Sequence, residues 1–506
     1  MTDRAASHRD VAIASGVGLD AETCFRAYET RDARFDGRFF VAVRTTGIFC
    51  RPVCPARTPK RCNVEFHASA ASAFAAGFRP CLRCRPERAP RPAAEPTPGA
   101  ALVARALAAI DAGALDEAPL DSLAARIGLT ARHLRRLFEA HLGAAPLAVA
   151  QTRRLLFARQ LVEETAMPLT RVAFAAGFAS VRRFNAAFSQ AYGCAPGALR
   201  RPSAASLHLT GANGGAVRLR LRPFGAEEFA SMMGFYRARA FAGVEVVSAG
   251  RYARNVRLGD VAGSFGLFRQ GGQLCLASTL ADASFLPQVV ARARRMFDTA
   301  APLAAITAHL AQDERLAPAL AGGAPRVPVA WDPYELALRA ILGQQISVPA
   351  ATTLAARMVA RFGMPFEGDA PGLQLLFPPP QTLACLQVGD LAALGIIRSR
   401  AAALIGMARH VAGDGDWVAR YRGLEEFCRE MVALPGIGPW TAQYVALRGF
   451  ADPDAFPAAD LGLLRAARAL GIADAGRSLE RHAERWRPWR AYAAQALWNF
   501  NPVESA

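Results

Sequence analysis

Four of the ten cysteines stand in two close pairs. Cys50-Arg-Pro-Val-Cys54 is a C-x3-C pair and Cys81-Leu-Arg-Cys84 a C-x2-C pair, 27 residues apart. Four thiolates at such spacings can wrap one Zn2+ tetrahedrally. The first residues, MTDRAASHRD, are polar and carry acids, so they do not read as a secretory signal. The expected place is therefore the cytoplasm, at the nucleoid, where thiols stay reduced and a metal is favoured over disulfides. Cys24 and Cys62 fall outside the paired spacing and read as ordinary thiols. On spacing alone, four cysteines usually make a closed structural staple. Yet a zinc-bound thiolate is deprotonated at neutral pH, which makes it a standing nucleophile.

A second group that could do chemistry is a carboxylate. Leu434-Pro-Gly-Ile-Gly438-Pro-Trp-Thr-Ala reads as a tight glycine turn between two helices. Backbone N–H groups at Gly436 and Gly438, helped by the positive end of the following helix, suit one phosphate. A Gly/Pro-rich loop from Gly449 then leads to Asp460, 22 residues past Gly438. Taken alone, an Asp before an apolar run is most often a helix N-cap.

The charge balance points to a polyanionic partner. The net charge is +18 over 506 residues. It is also clustered: from Arg44 to Arg91 there are ten basic residues against two acids, Glu65 and Glu87. A basic patch around the cysteines is the electrostatic footprint of nucleic acid. Arg44, Arg51, Arg57, Lys60, Arg61, Arg79, Arg83 and Arg85 are the expected phosphate contacts there. No apolar run reaches the roughly 18 residues that would suggest a membrane span.

The elements that must position these groups are set off by three Pro/Ala-rich or Gly-rich stretches, at 88–99, 200–215 and, more softly, 321–329. They predict four modules: 15–90, 100–203, 216–320 and 321–503. The expected fold is multidomain and mainly α. It comprises a small four-cysteine α+β domain, an all-α helical domain, a further α+β domain and an all-α domain around the glycine turn. The second module contains a repeat. Pro119-Leu-Asp-Ser-Leu-Ala-Ala-Arg-Ile-Gly128-Leu returns 49 residues later as Pro168-Leu-Thr-Arg-Val-Ala-Phe-Ala-Ala-Gly177-Phe. The glycines closing the two copies, Gly143 and Gly193, are 50 apart, so one residue is inserted in the second. Each copy reads as helix, Gly turn, helix: a helix-turn-helix. The second helices are expected over about 130–142 and 180–192. Arg132, His133, Arg135, Arg136, Arg182, Arg183 and Asn185 could face DNA, or simply form solvated helix faces.

Longer motifs carry family resemblances. The stretch Phe39-Phe-Val-Ala-Val-Arg-Thr-Thr-Gly-Ile-Phe-Cys50 through Cys54-Pro-Ala-Arg, with Asn63-Val-Glu-Phe and Ala76-Gly-Phe-Arg-Pro-Cys81-Leu-Arg-Cys84, resembles the N-terminal domain of Ada proteins. This implies one Zn2+ held by Cys50, Cys54, Cys81 and Cys84, with Cys50 accepting the methyl group of a DNA methyl phosphotriester in a single turnover. The repeat is similar to the DNA-binding domain of AraC-type regulators. That resemblance implies that the two second helices enter successive major grooves. The expected partners are double-stranded DNA, alkylated and at promoter sites, and RNA polymerase for activation, with the protein a monomer.

The glycine turn with Asp460 resembles the helix-hairpin-helix glycosylases. Ala340-Ile-Leu-Gly-Gln-Gln-Ile-Ser-Val, Ala446-Leu-Arg-Gly, Ala483-Glu-Arg-Trp-Arg-Pro-Trp489-Arg-Ala-Tyr and Met233-Gly-Phe235-Tyr-Arg-Ala-Arg-Ala resemble the AlkA branch, the 3-methyladenine DNA glycosylases. The resemblance implies that Asp460 stabilises the oxocarbenium character of the breaking glycosidic bond. It also implies a base pocket of Trp440, Tyr444, Trp489 and Phe235, each of which could instead be core. Gln345 occupies the place of that branch's intercalating Leu. Lyase-competent relatives carry a lysine just after the hairpin, where this chain has Trp440, and Lys60 is the only lysine in the sequence. A glycosylase here is expected to be monofunctional. No Pro-Cys-His-Arg motif is present, so direct repair of O6-alkylguanine is not expected. The alternative of another class is a DNA-binding regulator whose C-terminal half is a dead sensor, against which Asp460 argues.

Overall fold

The computed structural model describes residues 18–86, 89, 98–116, 118–200, 216–248, 250–413, 417–418 and 421–500. The linkers expected at 88–99 and 200–215 lie largely outside the described residues. The chain divides into two compact units, Met1–Ser206 and Leu207–Ala506.

The first unit begins with helix Ala21–Glu29, N-capped by the Asp20 side chain. A four-stranded sheet follows, in spatial order Val64–His67, Phe40–Val43, Ile48–Cys50, Arg79–Pro80. The first three strands pair antiparallel and the last joins parallel. The run Phe39-Phe-Val-Ala-Val is apolar at every position because both faces are covered. Phe40, Ala42 and Phe49 meet Ala73 of helix Ala70–Ala75 on one face. Phe39, Val41 and Phe66 meet the four paired cysteines and Cys24 on the other. The sheet is thus the wall on which the cysteines are hung.

The repeat folds as two helix-turn-helix units. Helices Leu120–Ile127 and Leu169–Ala175 are followed by Ala131–Leu142 and Val181–Tyr192. The turns run through Gly128 at φ +81° and Gly177 at φ +88°, which an L side chain would resist. Thr130 and Ser180 N-cap the second helices. These caps place the inserted residue. One residue separates Gly128 from Thr130, whereas two separate Gly177 from Ser180. The second helices bury matching positions, Leu134 and Phe138 against Phe184 and Phe188. The 19-residue helix Pro146–Glu164 joins the copies.

The second unit opens with a five-stranded antiparallel sheet. Its order is Val217–Pro223, Gln273–Ser278, Val261–Gln270, Arg251–Leu258, Glu245–Ser248. Helices Ala226–Arg239 and Leu286–Met296 accompany it. The soft break at 321–329 is no loose linker: Ala324, Val327 and Val329 are buried. Tyr236 Oη donates to Val329 O at 2.9 Å, and Arg448 donates to Pro328 O at 2.9 Å. The helical part that follows contains one short two-stranded pair, Met364–Pro365 with Leu375–Leu376, beyond the all-α expectation. Asn255 of the sheet donates to Phe366 O and Leu375 O, both at 3.1 Å, so this pair docks the helical part onto the sheet. Among the described residues no helix is long and apolar enough to cross a membrane.

Candidate functional site

The four sulfurs of Cys50, Cys54, Cys81 and Cys84 lie within 4.8 Å of one another, and all four residues are buried. Cys50 ends strand Ile48–Cys50, and the Cys81 N–H donates to Phe49 O at 2.9 Å, so the sheet sets one pair against the other. Four buried sulfurs crowded in this way could hold a metal ion as thiolates. Shared hydrogen bonds, first with Cys54, together with burial push the Cys50 thiol far above its ordinary range. The all-sulfur donor set fits a single tetrahedral Zn2+.

The backbone does not treat the sulfurs alike. The Arg83 N–H donates to Cys81 Sγ at 3.4 Å, and the Arg51 N–H donates to Cys84 Sγ at 3.3 Å. Cys50 Sγ receives no N–H among the described residues. An N–H donor draws charge from a thiolate and dulls it. Cys50 therefore keeps the most electron-rich sulfur of these three.

The cations around the cluster divide into two sets. Arg51 is committed inward, to the Asp36 carboxylate and to Cys84 O at 3.0 Å. Arg85 pairs with Glu163 and Glu164. Arg44 pairs with Glu65 at 3.5 Å and Arg61 with Glu22. Arg57, Lys60, Arg79 and Arg83 are exposed and make no ion pair among the described residues. Arg132, Arg135, Arg136, Arg182, Arg183 and Asn185 are likewise exposed on the second helices of the repeat, and His133 is half-buried.

In the second unit, helices Leu424–Val432 and Pro439–Gly449 flank the glycine turn. Gly436 has φ +82°, and a Cβ there would meet Ala403 Cβ at 2.6 Å. Both facts exclude a side chain. The N–H groups of Gly436 and Gly438 find no acceptor among the described residues. Gln345 is exposed and left-handed, with φ +57°, a strained setting for a residue with a Cβ. Its neighbour Gln344 braces that turn against the hairpin, donating to Gly436 O at 3.0 Å and Thr441 Oγ1 at 3.1 Å.

Asp460 is the N-cap of helix Leu461–Ala469. Its Oδ1 accepts from Gly462 N at 2.8 Å, Leu463 N at 3.1 Å and Trp498 Nε1 at 2.9 Å. Its Oδ2 accepts from Trp440 Nε1 at 3.0 Å. The two meanings of this residue are therefore compatible: the cap fixes the carboxylate, and two indoles aim it. Trp440 stacks on Tyr444 at 5.1 Å, and Tyr444 meets Trp498 edge-on at 6.3 Å. The buried Arg448 guanidinium lies 4.5 Å from the Phe235 ring centre and 4.7 Å from that of Trp498. Burial brings its pKa down to about 10. Phe235, Tyr444, Trp498 and Trp440 thus form one aromatic wall ending at Asp460.

Trp489 stands apart: its ring partner is Tyr492, at 5.8 Å. The aromatic residue that joins the Asp460 cluster from the last helix is Trp498, which sequence reasoning passed over. No local pattern distinguishes the two. Trp489 caps helix Arg490–Asn499, whereas Trp498 lies in its final turn, facing Asp460.

Comparison with known proteins follows the same division. Residues 23–87 match the metal binding domain of Ada, and residues 123–202 match a helix-turn-helix domain. Residues 217–332 match the AlkA N-terminal domain, and residues 338–491 the HhH-GPD superfamily of base excision DNA repair proteins. This is the architecture of an alkylation-damage regulator joined to a repair glycosylase. A probable bifunctional transcriptional activator/DNA repair enzyme AlkA of Mycobacterium tuberculosis (strain CDC 1551 / Oshkosh) is 42% identical over 95% of this chain and 96% of its own length. The chain belongs to that family of bifunctional activator/repair proteins. DNA-3-methyladenine glycosylase 2 of Escherichia coli (strain K12) is 34% identical, covering 53% of this chain and 92% of its own. The bifunctional transcriptional activator/DNA repair enzyme Ada of Escherichia coli (strain K12) is 44% identical over 27% of this chain and 36% of its own.

Proposed function

We propose that the chain both registers and repairs DNA alkylation: it accepts methyl groups from DNA methyl phosphotriesters, activates transcription in response, and excises alkylated bases such as 3-methyladenine. The observation that carries this reading is the contrast in how its two reactive atoms are held. Cys50 offers a sulfur without an N–H donor inside a four-sulfur cluster, and Asp460 offers a carboxylate fixed at the end of an aromatic wall.

In the first activity, Cys50, Cys54, Cys81 and Cys84 would hold one Zn2+, which when bound would keep their sulfurs as thiolates at neutral pH. Cys50 Sγ displaces phosphate from the methyl carbon. The S–C bond forms as the C–O bond breaks, and the bonding pair stays on oxygen as an ordinary phosphodiester anion. No proton moves, and the thioether that results is not turned over. Arg57, Lys60, Arg79 and Arg83 are the cations available to hold the backbone phosphates, with Arg44 and Arg61 sharing that work. With Zn2+ bound, the site's formal charge would rise from about −2 to about −1, which lowers repulsion of DNA. Affinity for the promoter rises, with Arg132, Arg135, Arg182 and Arg183 contacting DNA and RNA polymerase as the partner in activation. The protein acts as a cytoplasmic monomer, with modules at 15–90, 100–203, 216–320 and 321–503.

In the second activity, Gly436 and Gly438 seat one phosphate and the turn at Gln345 enters the stack as the damaged nucleotide swings out. A base alkylated at N3 or N7 carries positive charge, so it is attracted to aromatic faces and leaves readily. Trp440, Tyr444, Trp498 and Phe235 supply those faces. Asp460 stabilises the positive sugar as the glycosidic bond breaks, and water completes the hydrolysis. With no lysine in the second unit, the product is an abasic site.

One incubation with methylated DNA tests both activities. Mass spectrometry is expected to find a methyl group on the Cys50 peptide, with free 3-methyladenine in solution. Base release that persists in Asp460→Asn, or methyl uptake that persists in Cys50→Ala, would falsify the corresponding half. No base release from the unaltered protein would favour a regulator with an inactive C-terminal half.

A further inference from the structure

Residues 81–85 form the loop that carries two of the four sulfurs. That loop is gripped from helix Pro146–Glu164, the connector between the two helix-turn-helix units. Arg159 of the connector is fully buried, with 0% of its surface exposed. Its Nη1 donates to Cys81 O and its Nη2 to Leu82 O, each at 3.2 Å. Its Nε donates to Glu163 Oε1 at 2.9 Å. The other oxygen of Glu163 takes Arg85 at 2.7 Å, and Glu164 takes Arg85 at 2.8 Å. Arg85 directly follows Cys84 and holds φ +53°, a conformation that its surroundings must enforce. The connector therefore clasps the sulfur loop at both ends.

Arg159 also faces the other way. Its guanidinium carbon lies 5.8 Å from the ring centre of Tyr192, the last residue of helix Val181–Tyr192. That ring packs on Phe188 at 4.5 Å, and its hydroxyl donates to Leu155 O of the connector at 3.4 Å. One buried cation thus touches the backbone of the sulfur loop and the end of the helix expected to enter DNA. Lysine cannot replace it, because only a planar fork reaches two carbonyls, a carboxylate and a ring face together.

We propose that Arg159 is the positioning residue through which the chemical state of the sulfur cluster reaches the second helix of the second helix-turn-helix. The inference rests on the methyl-acceptor reading above and adds a route to it. Turning Cys50 into a thioether removes a charge and adds a methyl group in a buried shell. The shell re-spaces, the loop bearing Cys81 and Cys84 shifts, and its carbonyls carry Arg159 and then Tyr192. An effect of charge on phosphate alone acts through solvent and needs none of these contacts. Such coupling between sites is commonly worth about 5- to 150-fold in an equilibrium.

The test uses the full zinc-loaded chain and a duplex carrying one methyl phosphotriester. Methyl uptake is read by intact mass. The duplex is then removed, and amide hydrogen exchange is compared before and after methylation. In the unaltered protein, exchange over residues 181–192 is expected to change by about fivefold or more. Arg159→Lys and Glu163→Gln are expected to bind zinc and take up the methyl group normally. The change in loop 81–85 persists in both, while the change over 181–192 disappears. Equal changes over 181–192 in the variants and the unaltered protein overturn the inference. So does normal methyl uptake by the unaltered protein with no change over 181–192; both results leave the methyl-acceptor reading standing. Loss of zinc from both variants also overturns it, because Arg159 would then be only a staple. An unaltered protein that takes up no methyl group overturns the underlying reading, and this inference with it.

Discussion

Cys50 and Asp460 are dressed in opposite ways. Cys81 and Cys84 each take a backbone N–H, while the Cys50 sulfur takes none among the described residues. Asp460 takes four, two from the backbone and two from indoles. A bare sulfur is free to form a bond and be lost in doing so. A carboxylate surrounded by donors is held in place and discouraged from bonding, so it can stabilise charge repeatedly. The difference teaches that hydrogen-bond donors, as well as the identity of the reactive atom, separate a consumed site from a recycled one.

The largest expected effect breaks the first side of the comparison. Cys50→Ser should abolish methyl uptake in an intact-mass assay while leaving base release unchanged. A methyl group appearing on Cys81 or Cys84 of that variant, the two sulfurs that take an N–H, would show that the missing donor is not what selects the nucleophile. The next effect breaks the second side. Asp460→Asn keeps the size of the side chain but not its charge, and single-turnover release of 3-methyladenine should fall by about 100- to 1000-fold.

A smaller effect sharpens the role of the donors. Trp498→Phe keeps a ring but removes one N–H from Asp460. A hydrogen bond to a charged group is worth about 1.5–3 kcal/mol, so release should slow by roughly 10- to 100-fold. Trp489→Phe, away from the carboxylate, should change it by less than about twofold. Equal losses in the two variants would remove the distinction drawn between these tryptophans.

The smallest effect concerns stability and belongs to the second unit alone. Burial raises the Asp298 carboxyl from 3.8 to about 7, partly offset by the Val327 N–H and Arg326. A raised carboxyl favours the folded state in its protonated form. Its contribution is complete below the unfolded value and is drawn down as pH rises through about 7. The thermal midpoint of the second unit should lose a few degrees across that window. Asp298→Asn should flatten that slope, measured by melts at a series of pH values.

Much of both sites was legible in the sequence because their reactive groups sit in short, local patterns. The cysteine pairs, the glycine hairpin and Asp460 each depend on neighbours a few residues away. The helix-turn-helix repeat was legible for the same reason, down to one inserted residue, although only the caps Thr130 and Ser180 locate it. What sequence reasoning missed depends on distant contacts. Trp489 and Trp498 stand at opposite ends of one helix, and only the approach of Asp460 from another element tells them apart. Arg51 and Arg85 look like phosphate ligands in a basic run, yet Asp36, Glu163 and Glu164 claim them. The stretch 321–329 has the composition of a linker, but Tyr236 and Arg448 lock its carbonyls into the interior.

The undonated sulfur of Cys50 also sets how the molecule counts. On the proposed reading each chain spends Cys50 once and can record one event, so the number of recordable events equals the number of copies present. On the same reading Asp460 carries no such ceiling, because copy number limits only how fast bases leave. A single polypeptide therefore joins a tally to a catalyst in a one-to-one ratio. Every additional copy enlarges the memory and the throughput by the same increment.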